Sequence, residues 1–112
     1  MINMDLVEVA RGKLSASKVI TGGQIVNVVT GEVYPGGIAI LNDRIAATGD
    51  VGSAIGPETE VIDVHGSYLT PGLIDGHVHV ESSLLSIEHF SGCALRTGTT
   101  SVVTDLHEVA AV

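Results

Sequence analysis

Apolar residues at Leu6, Val9, Ala10 and Leu14 follow the i, i+3, i+4, i+8 spacing of one helical face, and Asp5 stands where an N-cap belongs. The spacing predicts a short helix over 5–14. The texture then changes to short β-rich runs at 18–20, 24–30, 37–41, 44–48 and 60–64, separated by Gly-Gly, Thr-Gly, Pro-Gly, Asn-Asp and Gly-Asp turn signals. These predict a meander of small strands. Near Ser67 the pattern changes again: Tyr68-Leu69-Thr70-Pro71-Gly72 is a turn that feeds the apolar pair Leu73-Ile74 and then a cluster of ionisable groups. A boundary there divides the chain into residues 1–67 and 68–112. In the second part Ser86 can cap a helix whose Ile87, Phe90, Ala94 and Leu95 share a face, with Gly98 at its C-terminal end and a second strand over Thr99–Thr104. Strand, helix, strand over 73–105 is a βαβ unit with parallel strands and a right-handed crossover. The expected class is α/β with a β-rich N-terminal part.

The chemistry concentrates in Asp75-Gly76-His77-Val78-His79-Val80-Glu81. Alternation along a strand sends Asp75, His77, His79 and Glu81 to one side. Imidazole and carboxylate are good ligands for a divalent transition metal, and histidines at i and i+2 can reach one ion. A polar strand face with two exposed histidines is the plain alternative, but burying four ionisable groups in a row is costly without a metal or charge partners. A second polar row ends the second strand: Val103, Asp105 and His107 share a face and Glu108 follows. Alone it reads as an exposed loop start. Its value lies in position, because parallel strands bring their C-terminal ends side by side, where α/β enzymes place active sites.

Charge and composition narrow the function. The 112 residues carry 5 Lys+Arg against 13 Asp+Glu, a net charge of −8, which argues against nucleic-acid backbones and anionic membrane surfaces as partners. At 45% apolar and 16% charged, the chain is too hydrophobic for a disordered acidic tail. No apolar stretch approaches the roughly 20 residues of a membrane span, and the acids Asp5 and Glu8 do not suit a secretory signal, so a cytoplasmic protein is expected. A single cysteine, Cys93, excludes an internal disulfide and a Cys-based zinc ribbon, and its expected role is packing. His65 before Gly66 and His89 on the helix read as structural, and Ser82 and Ser83 as loop hydrogen-bond donors or helix caps. No glycine-rich phosphate loop with a following Lys-Ser/Thr is present.

Pro71-Gly72-Leu73-Ile74-Asp75-Gly76-His77-Val78-His79 resembles the first barrel strand of the amidohydrolase superfamily. The longer pattern His77-Val78-His79-Val80-Glu81-Ser82-Ser83, then Gly98-Thr99-Thr100 and Asp105-Leu106-His107-Glu108-Val109-Ala110, resembles the adenine deaminase branch. Leu106 stands where that branch has Pro, and Ala111 where it has Asn. The resemblance implies a β-sandwich-like domain over 1–67 and the start of a (β/α)₈ barrel over 68–112, both incomplete. It implies hydrolysis of adenine to hypoxanthine and ammonia, in which a metal ion activates water for attack at C6. His77 and His79 would be metal ligands, and Glu81 a ligand or a carboxylate beside one. Asp105, His107 and Glu108 would lie near the purine base, with Glu108 either transferring the proton or contacting the purine ring. The implied ion is Mn or Fe, with Zn as the alternative.

A (β/α)₈ barrel needs roughly 250 residues, so the expectation is an N-terminal piece that by itself releases no ammonia from adenine. Its partners would be a purine base and either a complementing C-terminal part or further copies of itself, since unpaired strand edges favour self-association. Two other functions compete: a cyclic-amide hydrolase of the dihydroorotase or hydantoinase type, and a non-catalytic truncated module.

Overall fold

The computed structural model describes residues 3–105, which are mixed α/β and rich in strands. The chain divides between Thr70 and Pro71 into two compact units.

In the first unit, helix α1 spans Met4–Ala10, and its cap is Asn3 rather than Asp5: the Asn3 Oδ1 accepts from the Asp5 N–H at 3.1 Å. An amide oxygen satisfies one of the unpaired N–H groups at the helix start as well as a carboxylate does. The helix also ends sooner than its apolar spacing suggests. Gly12 takes φ +69° just beyond it, and Leu14 is exposed.

The runs predicted at 18–20 and 24–30 form one strand, β1, over Lys18–Val26. It is followed by β2 (Val33–Leu41), β3 (Arg44–Gly49), a 3-10 turn (Gly52–Ala54), β4 (Glu60–Asp63) and β5 (Tyr68–Leu69). Val28, Val29 and Thr30 leave the strand because Asn27 Oδ1 accepts from the N–H groups of Val29 and Thr30, at 3.0 and 3.2 Å, and so closes a turn. The expected meander holds only for β1, β2 and β3, which are successively antiparallel. Strands β4 and β5 instead both pair parallel to β1 on its other side, giving the order β3-β2-β1-β4 with β5 also beside β1.

The register of β1 against β2 carries one extra residue: Ile20 pairs with Ile38, but Gly23 pairs with Gly36. Gly22, at φ +69°, lets the chain make this bulge. The insertion changes which face later residues reach. Val19 joins Val9, Ala16, Ala39, Val51 and Ala54 in the main core under α1, whereas Ile25, also buried, lies outside that cluster and beside Gly36.

In the second unit β6 (Leu73–Val78) leads into a 3-10 turn (Val80–Ser83), helix α2 (Ile87–Arg96) and strand β7 (Thr99–Thr104), and β6 and β7 are parallel. Ser86 caps α2 as its position suggests. Its hydroxyl lies 3.4 Å from the His89 N–H and 2.8 Å from His89 Nδ1, which gives that histidine a capping task. Gly98 takes φ +85° after the helix, and its carbonyl accepts from Leu73 N–H at 2.9 Å. Cys93 is exposed in this unit, contrary to the packing role expected from its place on the helix, because α2 contributes no fully buried residue. The buried apolar side chain is Val80. No helix among the described residues is long and apolar enough to cross a membrane.

Gly37 is buried, and a Cβ there would meet the Ile20 carbonyl and the Val51 side chain. Gly37→Ala is therefore expected to destabilise the first unit by about 1–3 kcal/mol through overpacking, measured as a lowered urea midpoint at unchanged slope. At the other helix, the backbone N–H of Glu88 and the Ser86 hydroxyl hold the Glu88 carboxyl below its ordinary value. A depressed carboxyl supports the fold above its unfolded pKa and loses that support as pH falls through its folded value. An acid titration followed by NMR should show Glu88 protonating below the usual glutamate range, with the first-turn amides of α2 losing protection in the same interval.

Candidate metal centre

Strand β6 does not present its four ionisable groups as simple alternation predicts. Asp75 pairs with Val102 of β7, and Val78 pairs with Thr104, so three steps on β6 match two on β7. The extra residue is a bulge at Gly76–His77. In a parallel pair, opposed residues share a face, so Asp75 and Val78 lie on the face of Val102 and Thr104. That is the side of α2: Asp75 and Val102 line one hollow with Phe90, Cys93 and Ala94, and Val102 and Thr104 line a groove of about 230 Å³ with Val80, Phe90 and Ala94. His77 and His79, flanking Val78, emerge on the opposite face. Asp75 is thereby removed from the polar row in which the sequence pattern placed it. A one-residue insertion is the physical reason, since it inverts the face of everything that follows.

The two imidazoles meet. Their ring centroids are 4.9 Å apart and their planes are inclined at 76°. His77 is exposed and His79 half-buried. Strand β6 ends at Val78, and His79, still extended at φ −102° and ψ 97°, caps the 3-10 turn that carries Glu81. Glu81 is thus not the next position of a strand face, but the turn folds it back: its Oε1 lies 3.3 Å from His79 Nδ1, and its side chain is only 7% exposed against 37% for His79. A carboxylate in that place favours the tautomer with hydrogen on Nδ1. Ser83 serves the same turn, its hydroxyl donating to the Val80 carbonyl at 2.6 Å. Leu84 closes it in the left-handed region at φ +58°.

Asp105 directly follows β7 and is exposed. Val103, two residues earlier, shares the histidine face by the β7 register. His107 and Glu108 lie outside the described residues. Among the described residues, no three or more His, Cys, Asp or Glu side chains are gathered so as to hold a metal ion. His65, the other histidine of interest, stands far from this chemistry along the chain. It takes φ +48° in a turn where Asp63 Oδ1 accepts from its N–H at 2.8 Å.

No protein-family model matches the chain. Homologues named adenine deaminase do, along almost its whole length. The protein of Moorella thermoacetica is 56% identical over 99% of this chain, and one from Desulfotalea psychrophila is 52% identical over 96%. The chain spans only 19% and 18% of those two curated relatives. Among solved structures, a D-aminoacylase described as having a binuclear metal centre matches at TM-score 0.66 and 29% identity, over 80% of this chain and 18% of that one. A D-hydantoinase from Thermus sp. matches at TM-score 0.62 and 32% identity, over 78% of this chain and 20% of that one.

Glu81→Ala should remove the tautomer preference of His79. Long-range ¹⁵N–¹H correlation of the imidazole is expected to show hydrogen mainly on Nδ1 in the wild type and a mixture in the variant.

Proposed function

We propose that this chain is the part of an adenine deaminase that carries the histidine pair of its metal centre, and that the complete protein hydrolyses adenine to hypoxanthine and ammonia. The observation that carries the reading is the placement of His77 and His79, side by side on the face of β6 away from α2, at the strand's C-terminal end. The homology to adenine deaminases and the likeness to metal-dependent hydrolases support it. Residues 1–70, which include β5 beside β1, are then part of a sandwich-like domain, so the boundary falls three residues later than the expected 67/68, and 71–112 open a (β/α)₈ barrel in which the histidine face is the interior.

The donor set fits a divalent ion in part. Two imidazoles bound to one divalent ion would keep their ring centres about 5 Å apart. His77 and His79 have that spacing already. Imidazole and carboxylate donors suit Mn, Fe or Zn, and we favour Mn or Fe. When bound, such an ion supplies Lewis acidity that makes water a usable nucleophile near neutral pH.

His77 and His79 would hold the ion, and Glu81 lies beside His79 as a further carboxylate. Asp105, His107 and Glu108 would act on the purine, with Glu108 moving a proton from the attacking water to the amine leaving C6. The remaining ligands come from sequence corresponding to the rest of the relatives' length, supplied by the same polypeptide or by a complementing one. A single exposed thiol and the acidic surface suit a cytoplasmic enzyme acting on a small neutral base.

The likeness to D-hydantoinase favours a second reading, hydrolysis of a cyclic amide. The two separate on substrate. A protein extended to the relatives' length should release ammonia from adenine and leave hydantoin and dihydropyrimidines untouched, and the reverse would establish the second reading.

For the 112 residues alone, no ammonia release from adenine is expected. Mn²⁺ titration followed by EPR should show uptake weakened in either single variant, His77→Ala or His79→Ala, and lost in the double variant. Uptake unchanged in the double variant would refute the metal reading.

A further inference from the structure

The bulge in β6 needs a cause, and glycine is not it. Gly76 has no positive φ, and a Cβ added there would meet nothing within 4 Å. The bulge of β1, by contrast, turns on Gly22 at φ +69°. In β6 the stabilising contact comes from a side chain. Asp75 folds back along its own strand, and its Oδ1 accepts from the His77 N–H at 3.1 Å. The acceptor and the donor bracket the inserted residue. A carboxylate that satisfies an N–H where a ladder is interrupted stabilises the interruption itself.

We propose that Asp75 is a positioning residue whose carboxylate oxygen holds the β6 bulge and so sets the face on which His77 and His79 emerge. Asp75 does not approach the ion; its own face is that of α2, with Val102 and Phe90. Without the insertion, His77 and His79 would return to the face of Asp75, beneath α2, where two imidazoles would displace apolar contacts of Phe90 and Ala94. The acceptor atom is what the role requires, and the negative charge is secondary. The inference rests on the metal reading for the affinity part of its test only.

The test compares Asp75→Asn, which keeps an acceptor at Oδ1, with Asp75→Ala, which has none. Two quantities are measured on the whole chain: Co²⁺ affinity, from the visible absorption of the bound ion, and amide hydrogen exchange at His77, with the Thr104 amide reporting whether the second unit stays folded. Asp75→Ala should weaken Co²⁺ binding about tenfold, as loss of an outer-shell partner does, and should speed His77 exchange about tenfold. Asp75→Asn should stay near wild type in both. Wild-type affinity and exchange in Asp75→Ala would overturn the proposal, as would an Asn variant that falls as far as the Ala variant. If the wild type itself takes up no Co²⁺, the metal reading fails, while His77 exchange still decides the role of Asp75: faster in the Ala variant and slow in the Asn variant supports it, equal in all three refutes it.

Discussion

Side chains leave a β-strand on alternate faces, so one inserted residue decides which face every later residue reaches. Both units of this protein depend on that constraint. In β1 the insertion after Ile20 lets one strand serve two apolar surfaces: Val19 packs into the core beneath α1, and Ile25 is buried apart from it. In β6 the insertion after Asp75 separates a carboxylate that attends to the backbone from two imidazoles that face the other way. The same device builds a core in one case and a candidate metal centre in the other.

The end of β6 sets the surroundings of the two histidines. A strand continuing past His79 would carry Glu81 onward, away from its neighbour. The 3-10 turn over Val80–Ser83 instead buries Val80, places the Glu81 carboxylate at His79 Nδ1 and exits through a left-handed Leu84. A nearly buried carboxylate is costly by itself, and an imidazole N–H within reach offsets part of that cost. The carboxylate at Nδ1 orients the imidazole ring. Ile74 and Val103 are exposed on the histidine face of the same two strands.

Much of the element order was legible in the residues, because helix caps and β-rich runs leave local marks. Ser86, Gly98 and the apolar face of α2 fall where the spacing puts them. The pairing of β4 and β5 parallel to β1 left no such mark, since partner and direction are set by tertiary packing and not by the strand's own sequence. The N-cap went to Asn3 because both Asn and Asp cap well and only the chain's path chooses between them. For the site, His77 and His79 were legible as a pair at i and i+2. The fate of Asp75 was not: its identity is the same in a regular strand and at a bulge, and the register against β7 that distinguishes them lies across a crossover. Glu81 reached the neighbourhood anticipated for it, by a turn that period-two reasoning does not contain.

The account stands on two imidazoles of one short segment sharing an ion. X-ray absorption at the metal edge of the Zn²⁺-loaded chain tests this most directly, because it counts the rings around the metal. The account requires imidazole scattering from two histidines with zinc–nitrogen bonds of about 2.0–2.1 Å, reduced to one ring by either His77→Ala or His79→Ala. A spectrum with oxygen ligands only, or one unchanged by both substitutions, would contradict it.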